Sequence, residues 1–186
     1  MPTLASTLPR LRRDETLLLV VDVQERLVPV MSDAATVIKN CALLARAARQ
    51  LNLPLVATEQ YPARLGATVP EIAAHFSAAP HAKMLFSACT DEVQEALRAA
   101  GRRTVLLCGI EAHVCVLQSA LDLLAESYTV FVARDAIGSR TPENAHIGWE
   151  RMRLAGAWPT STESAIFELL REAGTDDFKA LLPFLK

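Results

Sequence analysis

Aromatic side chains are scarce in this chain, at 5% of its residues, while the hydrophobic share is 51% and is dominated by aliphatics and alanine. A core of that kind suits strands buried on both faces beneath closely packed helices. Cysteine is confined to Cys41, Cys89, Cys108 and Cys115. No C-x-x-C pair occurs and no histidines are interleaved at zinc spacing, which argues against a metal module and for a reduced protein. Long apolar runs are missing too: the longest, Leu17–Val21, is far short of the roughly 20 residues a bilayer requires. The first residues lack the basic-then-apolar order of a signal peptide, because their arginines precede a strand that carries an acid. Charge of one sign is also missing. The net charge is −2, so no global basic field draws the chain to nucleic acid. Two short basic clusters, Arg10 with Arg12 and Arg13, and Arg102 with Arg103, read as solvated flanks of buried strands, a phosphate-binding role being the alternative. Finally, no G-x-G-x-x-G follows the first apolar run, where Gln24, Glu25 and Arg26 stand, which sets aside a nucleotide-binding oxidoreductase. The expectation is one cytoplasmic domain spanning residues 1–186, with a small-molecule substrate and neither nucleic acid nor membrane as partner.

What is present is an alternation of short apolar runs and helical spacing. Strands are expected at Thr16–Val23, Leu53–Thr58, His81–Leu85, Thr104–Ile110, Tyr128–Ala133 and Trp158–Thr162. The first and fourth are continuous rather than alternating, the mark of a parallel sheet buried on both faces. Helices are expected over Ala34–Leu51, Asp91–Ala100, Val114–Glu126, Pro142–Ala155, Ser164–Ala173 and Asp176–Leu182, with Thr90, Thr141 and Gly101 among their caps and stops. Strand, helix, strand in repetition gives right-handed crossovers and an α/β fold, a three-layer αβα sandwich on a parallel sheet. The stretch Glu59–Ala79 reads as a long irregular segment lining or lidding a site.

In such sheets ligands bind beyond the carboxyl ends of the strands, and three reactive side chains fall there. Asp22 closes an apolar run, where a carboxylate is costly unless paired or functional; a cap or loop ion pair explains it equally well. Cys115 opens a helix, whose unsatisfied N–H groups and dipole favour thiolate and can hold an oxyanion; the alternative is a small buried hydrophobe. Lys83 lies in the apolar stretch His81–Phe86, where it needs an acidic partner unless it snorkels to the surface. Taken together they form a coherent group: Asp22 accepts the thiol proton, Lys83 lowers the thiol pKa, and Cys115 attacks an electrophilic carbon.

Asp22 within VVDVQERL, Lys83 within HAKMLFSAC and Cys115 within LLCGIEAHVCVLQSALDLL resemble, in order and spacing, the three motifs of the isochorismatase-like cysteine hydrolases. VATEQYPARLGATVPEI and RDAIGSR resemble the isochorismatase-domain-containing branch. The resemblance implies a six-stranded parallel sheet with helices on both sides and an Asp–Lys–Cys triad. It also implies a cis peptide at Ile110–Glu111, and an oxyanion hole from the backbone N–H groups of Glu111 and Cys115. Nicotinamidases of this fold carry an Asp-x-His-type metal motif where Thr58, Glu59, Gln60 and Tyr61 stand here, so no metal and no other cofactor is expected. Members that cleave isochorismate lack the cysteine, which disfavours ether cleavage. Gln24, Tyr61 and His113 are candidates for the substrate pocket. The expectation is hydrolysis of a small amide or related acyl C–N bond through a thioester, in a homo-oligomer by resemblance. The rival is a binding or scaffold member with little turnover.

Overall fold

The computed structural model describes residues 8–185. The reading of the leader rests in part on residues 1–7, which lie outside the described residues. Six strands form one sheet: β1 (Thr16–Val21), β2 (Leu55–Gln60), β3 (His81–Lys83), β4 (Thr104–Ile110), β5 (Thr129–Gly138) and β6 (Trp158–Thr160). All neighbouring pairs are parallel, in the order β3-β2-β1-β4-β5-β6. The chain thus winds outward in both directions from β1 and β4, and the crevice between their carboxyl ends is the switch point at which ligands bind in such sheets.

β1 and β4 are central, and every residue of both is buried, which is why their sequences run apolar without alternation. Alternate residues feed two cores. Leu18, Val20, Leu106 and Cys108 pack beneath α1 (Ala34–Gln50) and α7 (Thr162–Leu170). Leu17, Leu19, Val105 and Leu107 pack beneath α4 (Asp91–Ala100), α5 (Leu117–Ala125) and α6 (Pro142–Leu154). The result is the three-layer αβα sandwich expected from the sequence. Gly109 in β4 has φ 122, and a Cβ there would collide with the backbone of Val21, so glycine is required where the two central strands close up.

The strand ends differ from expectation. β1 stops at Val21 because Asp22 turns to φ 54. β5 runs on to Gly138, past a register shift opposite Leu107 and Gly109. The segment after Glu59 is folded, not irregular: it holds the end of β2, α2 (Pro62–Leu65) and α3 (Pro70–Ala73). Ile72 is fully buried in the α1-side core, so α3 is docked there. Among the described residues no helix is long and apolar enough to cross a membrane.

Candidate active site

Asp22 leaves β1 in the left-handed region (φ 54), which aspartate tolerates better than most residues. Its N–H donates to Thr58 O at 3.1 Å, and the turn brings its carboxylate to side chains of β2 and β3. Thr58 Oγ1 donates to Asp22 Oδ1 at 2.7 Å. Lys83, the last residue of β3, places Nζ 2.6 Å from Asp22 Oδ2, and neither side chain is exposed. The ammonium donates to Gln60 Oε1 at 2.7 Å, Leu85 O at 3.1 Å and Phe86 O at 3.0 Å. Those three acceptors match its three donors. Its contact with Asp22 is therefore ionic, and Oδ2 accepts no aligned hydrogen bond. A dry carboxylate is costly unless it is paired, and the ammonium of Lys83 supplies the pairing.

Cys115 comes from the other side of the switch point. β4 ends at Ile110, the Ile110–Glu111 peptide is cis, and extended Glu111 caps a π-helical turn, Ala112–Val116, that runs into α5. The helical path therefore begins ahead of Cys115, which sits inside a widened turn of a kind enriched at functional sites. Ser119 Oγ donates to Cys115 O at 2.6 Å and accepts from Ala88 N at 2.7 Å, tying the turn to the segment beyond Phe86. Gly148 of α6 faces the same turn: a Cβ there would stand 2.6 Å from Ala112 O.

Cys115 is 6% exposed, and its thiol pKa is pushed up to about 12, first by burial and then by the negative charge of Asp22. Lys83 and the backbone of Glu111 pull the other way, and a hydrogen bond with Asp22 favours the neutral form. This corrects the expectation of a resting thiolate. Lys83 does lower the thiol pKa, but desolvation and the adjacent carboxylate outweigh it. The sulfur thus rests as a thiol, within reach of a carboxylate, an ammonium and a backbone amide.

The three pocket candidates part company. Gln24 is fully buried; its amide donates to Gln60 O at 3.0 Å and Gly66 O at 2.7 Å and accepts from Gln60 N at 2.7 Å. Both N–H donors of that amide are engaged within the fold and the side chain is closed off from solvent, so Gln24 supports the site from behind, which corrects its assignment to the pocket. Tyr61 stands at φ 37 with its N–H on Lys83 O at 2.8 Å, and its ring is exposed. His113 is half-buried in the π-turn, with Nδ1 3.0 Å from Ser139 Oγ. Glu111 Oε2 accepts from both N and Nε of Arg140 at 3.1 Å.

Sequence reasoning missed Thr58, Gln60 and Ser119 as partners. The first two lay in view as residues standing in place of a metal motif, and their spacing of two puts both on one face of β2. Among the described residues no group of three or more His, Cys, Asp or Glu is arranged to hold a metal ion.

The isochorismatase domain model matches residues 16–164. A secreted isochorismatase effector, Isc1, from Phytophthora sojae is 43% identical, covering 100% of this chain and 93% of the relative. The structure of MAR1 ribonuclease from Caenorhabditis elegans superposes with a TM-score of 0.89 at 34% identity, over 95% of this chain and 92% of that one. YcaC from Escherichia coli, described as an octameric hydrolase of unknown specificity, superposes at 0.88 with 30% identity, over 100% and 90%.

Proposed function

The chain belongs to the isochorismatase domain family, and on that premise we propose that it hydrolyses a small amide or a related acyl C–N bond with Cys115 as nucleophile. One observation carries the reading: the buried Asp22 carboxylate, ion-paired through Oδ2 with Lys83, lies against the Cys115 thiol. Asp22 takes the thiol proton as sulfur bonds to the acyl carbon, and the N–H groups of Glu111 and Cys115 hold the carbonyl oxygen as it gains charge. As the tetrahedral species collapses, the C–N bond breaks and the amine leaves with the proton held by Asp22. The thioester then takes up water, deprotonated by Asp22, and the acid departs as Cys115 regains its proton. Lys83 holds the Asp22 carboxylate in place through their ion pair and needs no proton exchange of its own. No cofactor or metal enters the scheme.

The same reading makes residues 1–186 one hydrolase domain that works in the cytoplasm on a small molecule, without nucleic acid or membrane. It also makes the chain a homo-oligomer, supported by the octameric state described for YcaC. That a relative is a secreted effector makes the compartment a point for direct fractionation. The near-closure of Cys115 and its raised pKa favour the rival, a binding member with little turnover. A panel of small amides separates the two. Hydrolysis that falls at least about a thousandfold in Cys115→Ser, with an acyl adduct on Cys115 in intact-mass spectra, supports the enzyme. Full turnover by Cys115→Ser, or no turnover of any amide, defeats it.

A further inference from the structure

We propose that the amino-terminal edge of the sheet, at the opposite end from Cys115, carries a second binding site that takes a small phosphorylated molecule on Arg102. Arg12 and Arg13 precede β1, Arg102 and Arg103 precede β4, Arg98 lies in the last turn of α4, and Arg171 follows α7. Two cavities open there. One, of about 520 Å³, is bordered by Arg12, Arg13, Arg102 and Arg171 against Asp14 and Asp177. The other, of about 340 Å³, is bordered by Arg98, Arg102 and Arg103 against Glu126. Arg102 lines both.

This concentration of arginine stands on a chain whose net charge is −2, so it is a local arrangement. Much of it is internally engaged. Arg13 pairs with Asp177 at 2.8 Å, Arg12 lies 3.9 Å from Glu15, and Arg103 covers the face of Tyr128 at 5.3 Å. Arg102 and Arg171 form no ion pair with any described residue. Arg102 Nε is moreover screened from water and has no hydrogen-bond partner, a state rare in folded proteins because a buried donor without an acceptor is destabilising. The terminal guanidinium nitrogens of Arg102 likewise meet no described acceptor, and a planar guanidinium bordering two cavities with further arginines across them matches a phosphate group. The cavities are discrete and concave, and the ring of Tyr128, the one aromatic lining them, is covered by Arg103. That leaves no platform on which bases would stack, so the chemistry favours a small phosphorylated ligand over RNA.

Calorimetric titration of the full chain with pyrophosphate tests the site. One saturable event per chain is expected, weakened at least about tenfold in Arg102→Gln and weakened by added salt. Cys115→Ser binds as the wild type does, and Arg102→Gln leaves the alkylation rate of Cys115 unchanged, which separates this site from the proposed hydrolase centre. If Arg102→Gln does not fold, Arg102→Lys, which keeps the charge and loses the planar fork, must still bind several-fold more weakly. No saturable binding, wild-type affinity in these variants, or a single-stranded RNA oligonucleotide binding in preference to pyrophosphate overturns the proposal.

Discussion

Lys83 Nζ stands 2.6 Å from Asp22 Oδ2, with both side chains wholly withdrawn from solvent. The ammonium gives its three hydrogen bonds elsewhere, to Gln60, Leu85 and Phe86. A buried pair arranged this way adds little net stability relative to apolar residues, yet removal of either partner alone strands a charge.

Asp22→Asn is accordingly expected to lower stability by about 3–5 kcal/mol and to abolish amide turnover. The double variant Asp22→Asn with Lys83→Met recovers part of the stability, since the stranded cation is gone, while turnover stays absent. Urea unfolding of the four proteins in the cycle checks this. Additive losses in the double variant would show that the two side chains are not coupled.

Gln24 holds Gln60 and Gly66 in place through its amide, and Gln60 in turn accepts from Lys83. Gln24→Leu leaves two buried backbone groups of Gln60 and the half-buried carbonyl of Gly66 unpaired, at about 1–3 kcal/mol for each buried group. A fall in the urea midpoint is expected in the free protein. A variant with unchanged stability and a raised KM would return Gln24 to the substrate pocket.

Gly148→Ala places a methyl group 2.6 Å from the carbonyl of Ala112. Either α6 or the π-turn must move, with a cost of about 1–3 kcal/mol, and the turn carries Cys115. Reduced turnover is the expected result, with Gly148→Ala retaining the fold by circular dichroism. Unaltered turnover and melting temperature would mean that α6 does not brace the turn.

The thiols of Cys115 and Cys89 are pushed up to about 12 and about 11, in both cases chiefly by burial. A raised folded-state value favours the protonated thiol, so the stabilisation is fully present below the unfolded value near pH 8.5. It is lost as pH rises from there toward the folded values. The protein should weaken progressively above about pH 9, and Cys89→Ser should flatten that decline in thermal melts taken across alkaline pH. An equally steep decline in Cys89→Ser would assign the alkaline loss to other groups.

Much of the fold was legible because β1 and β4 are buried on both faces and so read as unbroken apolar runs, flanked by helices with clear caps at Thr90 and Thr141. Each of the three reactive side chains stood out just past or within an apolar run, yet each had a bland alternative in isolation, and only their co-occurrence and the family resemblance drew them together. The partners were not. Thr58 and Gln60 owe their roles to register with β1 and β3, a long-range property that local spacing does not encode. Nor does sequence weigh burial against charge: the ammonium beside Cys115 was visible in advance, whereas the desolvation that outweighs it was not.

The protonation state of Cys115 is the point on which the mechanism turns, and thiolate absorbance near 240 nm reads it directly. In a pH titration of the wild type minus Cys115→Ser, no thiolate signal should be present at neutral pH, and none should develop until about pH 10 or above, consistent with a thiol pushed up to about 12 beside an Asp22 that accepts its proton only during attack. A step centred at or below about pH 8.5 would contradict this, and one centred below neutral pH would show a preformed thiolate paired with Lys83.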